Sequence, residues 1–179
     1  MKKAVIYYKY CEKTVDRELS QELRALATER YFDSLGETSR PSFCKEEGGK
    51  PCFSDERYHF SVSHSGRLYC IMFYSERCGL DIELLPRKAE RSEALAERFF
   101  SQNEKAYYYA EGAGDELFIR LWTAKEALVK LTGAGLSGIA KTDFTQGGYI
   151  ALPDGLIPHN AVGAVAAESL PDSITACEL

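Results

Sequence analysis

The chain has 179 residues, 45% of them hydrophobic, and its 22 basic and 27 acidic residues give a formal charge of −5. That length fits one compact domain or two small halves sharing a core, which is enough chain for an enzyme. The acidic balance offers no basic footprint for nucleic acid and no apolar run approaches a membrane span, although a local cluster of lysines, histidine and metal could still receive an anion.

Two lysines precede the apolar stretch Ala4 to Tyr8, but Lys9 and Glu12 cut it short and no small-residue cleavage site follows. The stretch therefore reads as a strand rather than an export signal, and a cytoplasmic location is expected. Val15 to Tyr31 reads as an amphipathic helix with Leu19, Leu23, Leu26 and Tyr31 at helical intervals. Gly36 to Ser54, rich in Gly, Pro, Ser, Lys and Glu, reads as a surface loop. His59 to His64 and Leu68 to Tyr74 follow as strands of a hairpin turning through Ser65-Gly66-Arg67.

A further strand, Cys78 to Leu84, places Asp81 and Glu83 on one face and Leu80, Ile82 and Leu84 on the other. The same pattern describes a half-buried strand with a wet outer face. Ser92 to Phe100 reads as a short helix, and Ser101 with Glu104 forms the capping-box pattern of the next, which makes Glu104 structural by default. After Leu136, Lys141 to Thr145, Gly148 to Leu152, Ala161 to Ala166 and Ser173 to Glu178 read as strands of a second small sheet. The six cysteines include no Cys-x-x-Cys pair, and without an export signal reduced thiols are expected, with Cys70 as a packing residue.

Leu117 to Leu136 is the stretch that organises the rest. At about 100° per residue, Leu117, Leu121, Ala124, Leu128 and Leu131 fall within roughly 80°, a core stripe, while Trp122, Glu126 and Lys130 line the opposite side with Ile119 and Val129 among them. Gly133 ends the helix as a left-handed cap. Glu126 and Lys130, four residues apart, also suit an ordinary solvated ion pair contributing about 0.2–0.5 kcal/mol. Asp81, Glu83 and Glu126 together could supply three hard oxygen ligands suited to Mg²⁺, because converging carboxylates repel each other without a cation. Lys50 and Ser63-His64-Ser65 would add phosphate-binding donors if hairpin and loop lie nearby, although His64 alone is also an ordinary structural imidazole.

Five motifs occur in one order: Gly49-Lys50-Pro51; Phe60-Ser61-Val62-Ser63-His64-Ser65-Gly66; Gly79-Leu80-Asp81-Ile82-Glu83; Arg98-Phe99-Phe100-Ser101-Gln102-Asn103-Glu104; and Trp122-Thr123-Ala124-Lys125-Glu126 with Lys130 and Gly133-Ala134-Gly135-Leu136. In that order the chain resembles the Sfp-like 4′-phosphopantetheinyl transferases over about half its length. The resemblance implies an α+β fold of two similar small halves, 1–85 and 86–179, related by a pseudo-two-fold, with the cofactor cleft between them and the catalytic helix at 117–132. It also implies transfer of 4′-phosphopantetheine from coenzyme A to a serine of an apo acyl or peptidyl carrier protein, releasing adenosine 3′,5′-bisphosphate. Asp81, Glu83 and Glu126 would hold Mg²⁺, Glu126 and Lys130 would be catalytic, and Lys50, Ser63, His64 and Lys130 would bind the cofactor, with Trp122 positioning the helix. Neither nucleic acid nor membrane enters as a partner. Only about 48 residues precede Gly49, so the basic stretch that contacts the 3′-phosphate in the family is shortened; Lys13, Arg17 or Lys45 could substitute, though none matches a motif. The alternative is a non-catalytic protein of the same fold that binds coenzyme A or a carrier, against which the intact Asp81, Glu83, Glu126 and Lys130 argue. A different Mg²⁺-dependent pyrophosphate-cleaving enzyme is a third reading, distinguished by whether turnover needs a carrier serine.

Overall fold

The computed structural model describes residues 1–86 and 92–179, apart from the side chain of Leu136. The fold is α+β. Strand β1 (Lys3–Tyr10) leads to helix α1 (Arg17–Ser34), whose first turn is capped by the Asp16 carboxylate accepting from Leu19 N at 2.9 Å. A short hairpin, β2 (Phe43–Lys45) and β3 (Pro51–Phe53), precedes the longer strands β4 (His59–Ser65), β5 (Leu68–Tyr74) and β6 (Cys78–Leu84). Helices α2 (Ser92–Phe99), α3 (Gln102–Ala110) and α4 (Asp115–Thr132) follow, then two 3-10 turns, Gly135–Lys141 and Phe144–Gln146, and strands β7 (Tyr149–Ala151), β8 (Ala161–Ala167) and β9 (Ser173–Glu178).

Four layers stack in the order helix, sheet, sheet, helix. The first sheet runs β4-β5-β1-β9 and the second β6-β8-β7. One face of the first sheet, with Tyr69, Ile71 and Phe73, packs on Leu23, Ala27 and Phe32 of α1. Its other face, with Ile6, Leu68 and Met72, meets Leu80, Ile82 and Val165 of the second sheet. The far side of that sheet, with Val162, Ala164 and Ala166, receives Leu121, Ala124 and Ala127 of α4. Strand alternation is thus used twice, β1, β5 and β8 each feeding a different core on each face.

Several expectations change. The loop from Gly36 to Ser54 contains the β2–β3 hairpin, whose three-residue strands are too short to show a period. Its register sets Cys44 opposite Cys52 with Cα atoms 5.2 Å apart, and the two are joined by a disulfide where reduced thiols were expected. Cys70 is a core residue as expected, fully buried, and its thiol is pushed up by that burial. Lys141 to Thr145 is not a strand but spans the two 3-10 turns. Ser173–Glu178 joins the first sheet, parallel to β1, rather than the second. On α1, Leu26 faces solvent and Ala27 takes the core position. On α4 the burial is wider than one stripe. Leu121 and Ala124 are buried as expected, but so are Phe118, Ile119, Thr123, Lys125, Ala127 and Val129, while Leu117, Leu128 and Leu131 are only partly covered, because the second sheet and the flanking helices and turns enclose the helix on several sides.

Candidate active site

Strand β6 carries the acidic part of the site. Leu80 and Ile82 enter the core between the sheets, and Asp81 between them turns toward Lys130 of α4. The approach is close: a Cβ on Gly79 would stand 1.9 Å from Ala127 O and 2.6 Å from Leu131 N, so only glycine lets the helix backbone settle on the strand. Gly133, left-handed at φ 72, ends the helix, and its N–H bonds Val129 O.

From the last turn of α4 the Lys130 ammonium reaches back to β6. It lies 2.7 Å from Asp81 Oδ1 and also donates to Leu80 O at 3.0 Å and Ser63 Oγ at 3.1 Å. Asp81 is 7% exposed, so the wet-face description does not apply to it. Burial pushes its carboxyl above the usual carboxylate range, while the Lys130 charge and the hydrogen bonds from Lys130 and Ser63 pull it down. One turn before Lys130, the Glu126 carboxyl is raised as well, first by burial, then by the charge of Asp81, with Lys130 opposing and Glu83 adding. Asp81, Glu83 and Glu126 therefore sit within one another's fields, with Lys130 among them.

The donor set consists of carboxylate oxygens, the chemistry of a hard cation. Among the described residues no group of three His, Cys, Asp or Glu side chains stands as a ready-made cage. Mg²⁺ seldom uses one; it takes one or two carboxylates and completes its shell with water and substrate phosphate oxygens. Asp81, Glu83 and Glu126 are therefore not drawn together as such a group, and a Mg²⁺ there would take part of its shell from water and phosphate oxygens.

The serines of β4 approach the same strand from the other sheet. Ser61 Oγ accepts from Leu80 N at 2.9 Å, Ser63 Oγ from Ile82 N at 3.2 Å and Ser65 Oγ from Leu84 N at 3.2 Å. Ser63 donates to Asp81 Oδ1 at 2.9 Å and Ser65 to Glu83 Oε2 at 2.5 Å. His64 points away from this cluster and is exposed, on the strand face that also carries Phe60 and Val62. Lys50, next to the start of β3, donates to Cys78 O at 2.8 Å, and burial lowers its affinity for a proton. Lys50, Val62, Glu126, Val129 and Lys130 line a cavity of about 340 Å³. A larger cavity of about 850 Å³ shares Lys50, Phe60 and Gly133 with it and continues past Glu46, Arg77 and Glu168. Glu126 and Lys130 line only the smaller one.

Two features escaped the reading of the sequence. Lys125 and Glu104 form an ion pair at 2.6 Å, the side chains 1% and 0% exposed. Glu104 makes the expected capping box with Ser101 and also accepts from Phe144 N at 2.8 Å, while Lys125 donates to Thr142 O as well. The pair thus ties α3, α4 and the chain after α4 together. Trp122 packs on Phe99 and Phe118, at 5.6 and 5.7 Å between ring centroids, which fits its expected role in seating the helix. The other missed feature is the serine series, whose one legible signal was Ser-x-Ser-x-Ser at strand period.

Residues 77–155 match the family model described as the 4′-phosphopantetheinyl transferase superfamily, a segment that includes Asp81, Glu83, Glu126 and Lys130. The chain is 39% identical over 98 residues to 4′-phosphopantetheinyl transferase Sfp of Bacillus subtilis, covering 53% of this chain and 42% of that protein. It is 39% identical over 110 residues to 4′-phosphopantetheinyl transferase AcpT of Salmonella typhimurium, covering 59% and 56% respectively. To 4′-phosphopantetheinyl transferase HetI of Nostoc it is 34% identical over 116 residues, covering 60% and 48%. The matches thus span about half the length of these curated relatives. The resemblance drawn from the five motifs is borne out.

Proposed function

We propose that this chain is a Mg²⁺-dependent 4′-phosphopantetheinyl transferase that moves 4′-phosphopantetheine from coenzyme A to a serine of an apo acyl or peptidyl carrier protein. The observation that carries the reading is the meeting of Glu126 and Lys130 of α4 with Asp81 of β6, beside a cavity also lined by Lys50 and inside the segment that matches the family model.

In this reading Asp81, Glu83 and Glu126 hold Mg²⁺, which when bound supplies neutralising charge for the pyrophosphate of coenzyme A. Glu126 is the general base. It takes a proton from the attacking serine hydroxyl, directly or through one water. The serine oxygen bonds to the phosphorus that bears pantetheine, the bond from that phosphorus to the bridging oxygen breaks, and the electron pair leaves on adenosine 3′,5′-bisphosphate. Lys130 stabilises that departing charge by turning one of its donors from a protein acceptor to phosphate. Lys50 binds phosphate at the same cavity. Ser63, buried with its one proton on Asp81, acts through that carboxylate rather than on phosphate, and His64, exposed on the other face of β4, serves a phosphate lying outside the carboxylate cluster.

The reading includes two halves, 1–85 and 86–179, related by a pseudo-two-fold around the cleft. A reciprocal exchange supports it: the first half lends β6 to the sheet of β8 and β7, and the second lends β9 to the sheet of β1. Action in the cytoplasm belongs to the same proposal, with neither membrane nor nucleic acid as partner; among the described residues no helix is long and apolar enough to cross a membrane.

Intact-mass analysis of apo carrier proteins incubated with coenzyme A, Mg²⁺ and this protein tests the reading. The expected result is the gain of one phosphopantetheine on the carrier serine, lost with chelator and in Glu126→Gln and Asp81→Ala. Coenzyme A binding without transfer to any carrier would favour a binding protein of the same fold.

A further inference from the structure

The two sheets meet along β4, the edge strand of one, and β6, the edge strand of the other. Backbone pairing is replaced there by the Ser61, Ser63 and Ser65 hydroxyls, which take the N–H groups of Leu80, Ile82 and Leu84 in turn. We infer that Ser65, together with Ser63, is a positioning residue that sets the Glu83 and Asp81 carboxylates for a divalent cation, whereas Ser61, with the same backbone bond but no carboxylate, only joins the sheets. The inference rests on the metal site of the proposed function.

The argument is a count of protons and lone pairs. A serine hydroxyl has one proton to donate and two lone pairs to accept with. At Ser63 both lone pairs are taken, by Ile82 N–H and the Lys130 ammonium, so its proton is directed at Asp81 Oδ1, 2.9 Å away. At Ser65 the Leu84 N–H fixes the rotor from behind and the proton goes to Glu83 Oε2 at 2.5 Å. The Ile82 and Leu84 amides thereby each aim a hydroxyl, and each of those hydroxyls aims the carboxylate one residue earlier on the same strand. The carboxylates are held by the sheet opposite as well as by their own rotamers. Groups behind a metal ligand, when removed, typically weaken metal affinity about 10–100-fold.

The test uses the whole chain and Mn²⁺ as the probe, titrated by electron paramagnetic resonance with and without inorganic pyrophosphate, with thermal unfolding of each variant as the check on folding. Ser65→Ala is expected to weaken Mn²⁺ binding about tenfold, Ser61→Ala to lower the unfolding temperature while leaving Mn²⁺ affinity within about twofold, and Ser65→Thr, which keeps the hydroxyl, to restore binding. In a Glu83→Gln background Ser65→Ala should have no further effect on affinity, since the carboxylate it acts through is gone. Equal Mn²⁺ affinity in wild type and Ser65→Ala, or equal weakening by Ser61→Ala and Ser65→Ala, overturns the inference and leaves the metal site standing. No Mn²⁺ binding by the wild type, with pyrophosphate present, overturns the metal site itself and this inference with it.

Discussion

Lys125 and Glu104 are paired at 2.6 Å where neither reaches solvent, and Lys125 directly precedes Glu126 on the helix. Removing one partner leaves an uncompensated buried charge, so Glu104→Ala or Lys125→Met is expected to cost about 3–5 kcal/mol in urea unfolding. The double variant Glu104→Leu/Lys125→Met should recover much of that loss, because two apolar groups of similar volume need no desolvation of charge. A double variant no more stable than either single one would show that the network's hydrogen bonds to Phe144 N and Ser101 N outweigh the ion pair.

Lys130 is the cation nearest Asp81 among the described residues, and its side chain keeps 29% of its surface exposed. Lys130→Met is expected to destabilise by about 2 kcal/mol, less than a fully buried pair because solvent screens the ammonium. Transfer to a carrier should fall by about 100-fold or more, as expected when a group stabilising developing charge is lost. Unfolding in urea and a single-turnover assay measure the two effects on the same preparation.

Glu126→Gln should abolish transfer yet stabilise the cation-free protein at neutral pH. The sign follows from the raised carboxyl: the folded state binds the Glu126 proton more tightly than the unfolded chain does, so stability is full below the ordinary carboxylate pKa and is lost as pH rises through the higher folded value. Glutamine does not titrate. Thermal unfolding of both proteins from about pH 4 to about pH 8 should show the variant's advantage growing with pH, and addition of Mg²⁺ should narrow it.

Gly79→Ala tests the seating of the helix on the strand. The new Cβ meets backbone atoms of α4, Ala127 O at 1.9 Å among them, and these cannot rotate away. A loss of about 2–3 kcal/mol is expected from overpacking. The helix must move to accommodate the methyl, so activity should fall even in preparations that remain folded by circular dichroism.

What could be read from the sequence was local. The Ser101–Glu104 box, the Gly133 cap, the turn at Gly66 and the alternation of β6 each depend on neighbours within a few positions, and each stands in the fold. Asp81, Glu126 and Lys130 were legible as candidates because the alternation of β6 and the period of α4 put them on the right faces. Their burial was not legible, since it depends on which element covers a face. Lys125 shows the same limit: beside Glu126 in a helix it looks like a surface charge, and only α3, folding back with Glu104, makes an interior place for it. The roles of Ser61 and Ser65 required the register between two strands of different sheets. The partner of β9 was hidden for a simpler reason, since nothing in six residues says which distant edge they will join.

That last pairing has a consequence for how the molecule is made. Lys2 and Asp172, 170 positions apart, are hydrogen-bonded neighbours where β1 meets β9. A ribosome that has released residues 1–85 has released a sheet with the β1 edge still bare and a β6 strand whose partner, β8, does not yet exist. Such edges are templates for pairing with other chains. Contacts this distant close slowly, so neither half can complete its sheet until residues 161–178 have been made.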